Sequence, residues 1–366
     1  MQRLNAFAST SLEPSNVRDV AEAVRSAARV IPVGAQTKPR LSGVEAVRIS
    51  TLGLRGIIEY EPSEFTFTAL AGTPVREIAA VLAERGQYLP FDPMLVDAGA
   101  TLGGTIASGL SGPGRFRFGG VRDFILGVRF VDGAGRLLHM GGKVVKNAAG
   151  FDLPKFFCGS LGRFGILVEA TFKVFPRPPA RLTLKVEAPT PEAALKIMIA
   201  ASSFRWELDA LDLLPGENTL ALRLAGPAQA LTDLGKEILT RWPGRVLAPA
   251  DADILWQRLR EFSWAPIDAP LIKVSLSPAS VTAFMRAISE LAGARAHLGA
   301  GGNVAFVSVG TSEIPILDRL LRENALSGLM FRGDGPQWLG RISPAAISGA
   351  VKRALDAENR YPSLDE

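Results

Sequence analysis

The most constraining feature of this 366-residue sequence is a glycine-dense stretch from residue 99 to residue 165, which holds 17 of the 37 glycines. Glycine has no Cβ, so it accepts left-handed backbone conformations and lets a ligand approach the main chain closely, but ordering it costs conformational entropy. Such a concentration favours a backbone cradle for an anion such as a pyrophosphate. A run of tight turns is the alternative, and Asp132-Gly133-Ala134-Gly135 fits a turn of that kind.

The glycines do not follow the two common nucleotide-binding patterns. No G-x-G-x-x-G follows a strand, opens a helix and is succeeded by an acidic residue about 20 positions later. No G-x-x-x-x-G-K-[ST] phosphate loop occurs either. A Rossmann domain for a nicotinamide cofactor and a P-loop domain are therefore both poor descriptions of this chain.

Five short motifs instead occur in a recognisable order: PVGAQTK at 32–38, TLGGTIA at 101–107, GGVRD at 119–123, GFDL at 150–153 and GSLGRFGIL at 159–167. Together they resemble the FAD-binding domain of the vanillyl-alcohol oxidase or PCMH type. Within that superfamily, KVVKNAAGFDL at 143–153 is similar to the FAD-binding subunit of bacterial glycolate oxidase, the GlcE type. The similarity is strong from about Pro32 to Pro178 and faint in the later half.

The resemblance implies that the chain binds FAD. Several relatives attach the flavin through a histidine in the first glycine loop, which here is Gly34-Ala35-Gln36-Thr37, and the surroundings of Cys158 show no cysteine-linking pattern. Noncovalent FAD is therefore expected. The predicted cofactor-binding residues are Pro32, Val33, Gly34, Ala35, Gln36, Thr37, Pro90, Thr101, Leu102, Gly103, Gly104, Thr105, Ala107, Ser108, Gly119, Arg122, Asp123, Lys146, Gly150, Asp152, Gly159, Gly162, Gly165 and Ile166.

The expected fold class is α+β, with a PCMH-type FAD-binding domain of two subdomains followed by a smaller α+β cap. The length exceeds what one core supports, and the proline-rich segment at 176–179 ends regular structure. We therefore predict an FAD-binding domain over 1–178, a cap over 179–342 and a C-terminal helix in 343–366 that returns toward the FAD domain. Relatives carry an Asp-Pro…Asn-Pro-Gly motif near this end, whereas this sequence has LDAENRYP at 355–362.

Local patterns predict several elements. Residues 15–29 read as an amphipathic helix capped by Ser15, and Val30–Val33 as a strand. A helix over Leu102–Ser108 is expected to turn the N–H groups of its first turn, at Gly103 and Gly104, toward phosphate. Residues 165–175 alternate as a half-buried strand, with Ile166, Val168, Ala170, Phe172 and Val174 facing inward.

Charge and composition exclude some classes of protein. Residues 99–181 carry twelve Lys or Arg against four Asp or Glu, which suits an anionic cofactor and an anionic substrate or partner. The sequence has no basic patch interleaved with aromatic residues, so nucleic-acid binding is not expected. The sequence shows no signal peptide and no transmembrane segment. With one cysteine in the chain, a cytoplasmic protein is expected, either free or peripheral to the inner membrane through its complex.

The residues that would carry catalysis are few. Relatives that oxidise 2-hydroxy acids commonly hold a divalent metal with paired histidines around Gly-Asp-Gly-Asn, whereas this chain has only His139 and His297. No metal site is therefore predicted. His297 is the candidate general base, although an ordinary structural histidine is the alternative.

The resemblance implies a function that the residues alone leave open. The first hypothesis is an FAD-binding subunit of a multi-subunit glycolate (2-hydroxy acid) oxidase or dehydrogenase, inactive alone, which passes electrons to an iron–sulfur subunit beside a paralogous FAD subunit. The second is a self-sufficient, metal-free FAD-dependent oxidoreductase acting on a 2-hydroxy acid or another alcohol. The third is a subunit that holds FAD without catalysis.

Overall fold

The computed structural model describes residues 11–142, 152–342 and 346–366. The part of the chain before residue 178, called the first domain below, contains a sheet of three strands, a sheet of five strands and a short antiparallel pair of Gln87–Tyr88 with Phe175–Pro176, together with helices. Its elements are β1 (Ser11–Leu12), α1 (Val17–Ser26), β2 (Val30–Val33), β3 (Val47–Ser50), β4 (Ile57–Glu61), β5 (Thr66–Leu70), α2 (Val75–Glu84), β6 (Gln87–Tyr88), α3 (Leu102–Ser108), α4 (Arg115–Phe118), β7 (Ile125–Val131), β8 (Leu137–Gly141), β9 (Ile166–Lys173) and β10 (Phe175–Pro176).

The smaller sheet is parallel and has the order β1-β3-β2. It packs against α1, whose Val20 and Val24 are fully buried. The strand predicted over Val30–Val33 is confirmed as β2. The predicted helix cap was wrong by one residue: the Asn16 side chain, not that of Ser15, accepts the Asp19 N–H at 3.0 Å.

The larger sheet of the first domain is antiparallel, in the order β4-β5-β9-β7-β8. The alternation predicted for β9 is confirmed, because Ile166, Val168, Ala170 and Phe172 are buried while Thr171 and Lys173 are half-exposed. Phe172 stacks on the neighbouring strand's Phe67, with ring centres 5.8 Å apart. This aromatic pair holds β5 and β9 together near the C-terminal end of β9.

Residues 180–340, which hold the strands of the nine-stranded sheet, are called the cap below. Its elements and the helix that follows are β11 (Ala180–Glu187), α5 (Pro191–Ser203), β12 (Ala210–Leu213), β13 (Thr219–Gly226), α6 (Ala228–Arg241), β14 (Gly244–Val246), α7 (Pro249–Arg260), β15 (Leu271–Ser275), α8 (Val281–Ser289), β16 (Arg295–Gly299), β17 (Val304–Ser308), α9 (Ile314–Glu323), β18 (Ser327–Arg332), β19 (Trp338–Gly340) and α10 (Ala346–Leu355).

The cap strands form one antiparallel sheet, β14-β11-β13-β12-β16-β17-β15-β18-β19. One face packs against α5, α6, α8 and α9. The other face packs against α7 and against residues of the first domain such as Leu41, Leu95 and Leu161. The predicted α+β class is confirmed. The domain boundaries at 178 and 342 stay a prediction, and the cap sheet begins at Ala180.

The last segment of the chain contacts the first domain. Lys352, on α10, donates through Nζ to the Arg163 carbonyl at 3.0 Å, and the Tyr361 hydroxyl donates to the Val131 carbonyl at 2.9 Å. The predicted helix start at Ser343-Pro344 lies outside the described residues. Among the helices of the described ranges, none has the length and apolar character that crossing a bilayer requires.

A buried ion cluster joins the two domains. Arg223, on β13 of the cap, donates to Asp92 of the first domain and to Asp209, each at 2.5 Å. Asp92 also accepts the Gly114 N–H at 2.8 Å. Burial alone would raise the pKa of Asp92, but the charges of Arg223 and Arg260, together with the hydrogen bond from Arg223, outweigh it and leave that pKa below its usual value.

We expect Asp92→Asn to destabilise the protein by about 2 kcal/mol, because it removes one of the two charged hydrogen bonds of the buried Arg223 guanidinium and leaves the pair with Asp209. Asp92 has φ of 48°, in the left-handed region that asparagine also tolerates, so the substitution tests the charge and not the backbone. The measurement is the free energy of unfolding in denaturant. The control Asp233→Asn, in an exposed pair with Lys236, is expected to change it by less than about 0.5 kcal/mol. Equal effects of the two variants would contradict this account.

Candidate functional site

A cavity lies between the two sheets of the first domain, where the segment after β2 meets α3 and the loop before β9. Its walls come from stretches that are far apart in sequence. The lining residues are Pro32, Val33, Gly34, Ala35, Gln36, Thr37, Lys38, Leu41, Ser42, Thr51, Thr101, Gly103, Gly104, Ala107, Ser108, Ser160, Leu161, Gly162, Gly165 and Leu167.

Glycine is required where the walls touch each other. A Cβ at Gly34 would lie 2.6 Å from the Thr101 hydroxyl oxygen, and a Cβ at Gly162 would lie 2.5 Å from the Pro32 ring. Gly162 also has φ of 74°, which side chains rarely adopt. A larger residue at either position would push the walls apart.

The loop after β2 offers free main-chain donors. Within the described chain, the N–H groups of residues 34–38 have no hydrogen-bond acceptor. Gln36 has φ of 51°, the left-handed conformation that in anion-binding turns helps direct successive N–H groups to one side. Unpaired N–H groups on a cavity wall suit a phosphate or another anion.

The first turn of α3 differs from expectation. The N–H groups of Leu102 and Gly103 donate to the carbonyls of Thr73 and Ala71, and that of Gly104 donates to the Thr101 hydroxyl. These N–H groups are therefore used inside the protein. α3 contributes to the cavity the bare surface of Gly103 and Gly104, followed by Ala107 and Ser108.

The structure brings many of the predicted cofactor-binding residues together and leaves others elsewhere. The predicted residues that line the cavity are Pro32, Val33, Gly34, Ala35, Gln36, Thr37, Thr101, Gly103, Gly104, Ala107, Ser108, Gly162 and Gly165. The described ones outside its lining are Pro90, Leu102, Thr105, Gly119, Arg122, Asp123, Asp152, Gly159 and Ile166. Lys146 and Gly150 lie outside the described residues. Contact with a cofactor stays a prediction for the whole set.

The Gly119-Gly120-Val121-Arg122-Asp123 motif forms a turn closed by its own aspartate. The Asp123 carboxylate accepts the Gly120 N–H at 2.8 Å, and Gly119 has φ of 84°. The turn geometry explains the paired glycines and the aspartate without a ligand.

Several lining residues were missed by the sequence reading. Lys38, Ser160, Leu161 and Leu167 stand inside the quoted motifs and could have been taken from them. Leu41, Ser42 and Thr51 line the cavity through the fold, and no motif position in the sequence marks their role.

His297 lies in the cap sheet, on β16, and does not line the cavity. Its side chain is buried, with Nε2 2.9 Å from an oxygen of Asp212, whose other oxygen accepts the Ala300 N–H at 3.1 Å. The pair therefore supports the turn at 300–302. The role of general base stays an untested prediction, which this burial does not favour.

Two cationic side chains, Lys273 and Arg115, lie near the junction of the cap and α3. Lys273, on β15, donates through Nζ to the Gly109 carbonyl at 3.3 Å, one residue beyond the cavity wall at Ser108. Burial, together with the nearby charge of Arg115, lowers the pKa of Lys273 to about 8. Neither cation forms an ion pair with a carboxylate in the part of the chain that the structure describes. The junction therefore suits a small anion.

The remaining candidates for a reactive or metal-binding group are the Cys158 thiol and clusters of metal-ligating side chains. Burial raises the pKa of the Cys158 thiol to about 12, so it is not a thiolate nucleophile at neutral pH. Within the described ranges, no three His, Cys, Asp or Glu side chains are grouped so that they could hold a metal ion. The absence of a metal site stays a prediction.

Comparison with known proteins indicates the cofactor. Residues 9–141 match the family model described as FAD binding domain. FAD is accordingly the cofactor, and a cavity with free N–H donors and bare glycine surfaces fits its diphosphate.

Curated relatives point to one chemical class. The chain is 41% identical over 210 residues to the glycolate oxidase subunit GlcE of Escherichia coli (strain K12), which covers 57% of this chain and 56% of that protein. It is 29% identical over 194 residues to a D-2-hydroxyglutarate dehydrogenase of Xanthomonas citri pv. viticola, 51% of this chain and 41% of that one. It is 32% identical over 128 residues to the glycolate oxidase subunit GlcD of Bacillus subtilis (strain 168), a match that covers 35% of this chain and 27% of that protein.

The matched stretches thus span between about a quarter and somewhat over half of these relatives. Among solved structures, an alkyldihydroxyacetonephosphate synthase is similar with a TM-score of 0.67 over 96% of this chain and 76% of that one, at 15% identity. That likeness concerns the fold alone. The resemblance to FAD-binding oxidoreductases of 2-hydroxy acids, stated from the motifs, is confirmed.

We expect Gly104→Val to abolish retention of FAD. A Cβ at Gly104 would meet only the Thr101 hydroxyl, at 3.1 Å, so the valine would fill the cavity and leave the wall intact. The measurement is the ratio of flavin absorbance to protein absorbance after purification. Gly349→Val, on α10 and away from the cavity, is the control. A variant that retained FAD as the control does would place the cofactor elsewhere.

Proposed function

We propose that this chain is the FAD-binding subunit of a glycolate (2-hydroxy acid) oxidase or dehydrogenase, with the flavin held noncovalently in the cavity of the first domain. The observation that carries the proposal is the 41% identity to a glycolate oxidase subunit over 57% of the chain. The lining supports noncovalent binding, because none of the described residues that form it is a histidine or a cysteine to which a flavin could be attached.

The substrate end of the site lies at the junction of the cap and α3. A 2-hydroxy acid carries a carboxylate at neutral pH, and Lys273 and Arg115 are the cations that would receive it. Oxidation to the 2-oxo acid removes two electrons and two protons, and bound FAD supplies the acceptor for the hydride. Lys273 and Arg115 would hold the acid by its carboxylate and so restrict its orientation toward the cofactor.

The electrons require a second carrier. This chain has one cysteine and therefore cannot ligate a cluster by the four thiolates that such sites use. We propose an iron–sulfur subunit as the acceptor, with a paralogous FAD subunit in the same complex. A cytoplasmic complex, or one attached peripherally to the inner membrane, fits this arrangement.

We expect Lys273→Met to weaken binding of glycolate about 10- to 100-fold, because a hydrogen bond between charged partners is lost. FAD retention is expected to stay unchanged, since Lys273 does not line the cavity. The measurement is titration of the flavin absorbance spectrum with glycolate in the co-purified complex. In the unmodified protein, affinity is expected to fall as pH rises through about 8, where Lys273 loses its charge, and the variant should lack that dependence. Lys236→Met, on the exposed face of α6, is the control, and a variant that binds glycolate as this control does would exclude Lys273.

The assembly is tested with the chain alone and with candidate partners. We expect the isolated chain to carry FAD but to reduce a dye acceptor with glycolate only slowly, and a co-expressed complex with an iron–sulfur subunit to elute as one species in gel filtration. An isolated monomer with full turnover would refute the subunit proposal and favour the self-sufficient oxidoreductase. A chain that binds FAD but whose flavin is never reduced by glycolate, alone or in the complex, would favour the non-catalytic subunit.

A further inference from the structure

The cavity of the first domain is almost free of charge. Its lining is built from apolar residues, glycine and neutral polar side chains, and Lys38 is the one charged residue among the described residues that form it. No aspartate or glutamate occurs in that lining. FAD carries two negative charges on its diphosphate at neutral pH, so the balance of charge in the cavity depends on this lysine.

Lys38 has no counter-ion of its own. Its side chain is 8% exposed, and its Nζ donates to the Thr37 hydroxyl at 2.9 Å. The nearest influence of opposite sign is Glu261 at the end of α7, but its two oxygens accept the N–H groups of Asp97 and Ala98. No carboxylate in the described ranges forms an ion pair with Lys38. A buried ammonium group without a partner is costly, and burial lowers the pKa of Lys38 to about 8.

The position of Lys38 in the loop completes the argument. It directly follows the residues whose N–H groups are unpaired, so its side chain and those donors belong to the same turn. Arg163, a second buried cation, is used differently: its guanidinium donates to the carbonyls of Leu161 and Leu41 and to the Gln337 side chain. Arg163 therefore braces the wall, while the Lys38 ammonium stays available to a ligand.

We propose that Lys38 is the cation that pairs with the diphosphate of FAD, together with the main-chain N–H groups of residues 34–38. This inference rests on the proposed placement of FAD in the cavity and names the group that recognises its charge. The ammonium group and the N–H donors would each contact phosphate oxygens, a strong type of contact because the acceptor is charged.

The test compares ligands that share only part of FAD, bound to protein from which the flavin has been removed. The probes are FAD, ADP and riboflavin, since ADP carries the diphosphate without the flavin ring and riboflavin carries the ring without phosphate. Dissociation constants come from flavin fluorescence for FAD and riboflavin, and from calorimetry for ADP.

We expect Lys38→Met to weaken FAD and ADP about 10- to 100-fold and to leave riboflavin within about twofold. Lys38→Arg keeps the charge and should recover most of the affinity for both diphosphates. Arg18→Met removes an exposed cation of α1 and should change none of the three constants. Thermal melting of each variant without ligand establishes that it is folded, and Lys38→Gln replaces the methionine variant if that one is not.

Two results would overturn the inference. Equal losses for FAD and riboflavin, with ADP unaffected, would assign Lys38 to the flavin ring or to the shape of the wall. Unchanged binding of all three ligands would show that the lysine does not contact the cofactor. Both results can be told apart from the case in which FAD does not bind in the cavity. In that case the Gly104→Val variant and the unmodified protein would bind FAD equally well.

Discussion

The arrangement of the two domains depends on one buried guanidinium. Arg223 on β13 lies between Asp92 of the first domain and Asp209 of the cap, and Trp256 covers its face with the guanidinium carbon 5.0 Å from the ring centre. Asp92 also holds the Gly114 N–H immediately before α4. Through that contact the ion cluster fixes the helix that carries Arg115 and Phe116. The position of Arg115 relative to Lys273 therefore follows from the same interaction that joins the domains.

The cap and the first domain also meet through glycine at this junction. A Cβ at Gly301 would lie 2.6 Å from the ring of Phe116, so the turn at 300–302 can approach α4 only because it has no side chain there. The Asp212 carboxylate accepts the Ala300 N–H of the same turn, and its other oxygen is hydrogen-bonded to His297. A histidine that looked catalytic in sequence is thus part of the support for a close contact between domains.

Local signals in the sequence were enough for some elements. The bounds of β2 and α3 and the alternation of β9 follow from short-range patterns that the structure confirms. In the cap, β18 was not predicted, because Ser327–Arg332 pairs with β15 on one side and β19 on the other, and its four buried central residues lack alternation. Lys38 stands in a quoted motif, but its burial could not be predicted, because the cavity walls around it come from distant parts of the chain.

The helix α3 relates the two ends of the proposed site. Gly104 in its first turn faces the cavity, while the carbonyl of Gly109, just after its end, accepts the Lys273 ammonium. Seven residues of helix span about 10 Å. The proposed diphosphate site at the loop of Lys38 and the proposed carboxylate site at Lys273 would then lie near opposite ends of this one helix. Since neither lysine pairs with a carboxylate of the described residues, each anion would favour the charged form that burial disfavours. Binding of cofactor and of substrate would thus stabilise the same domain arrangement that Arg223 holds.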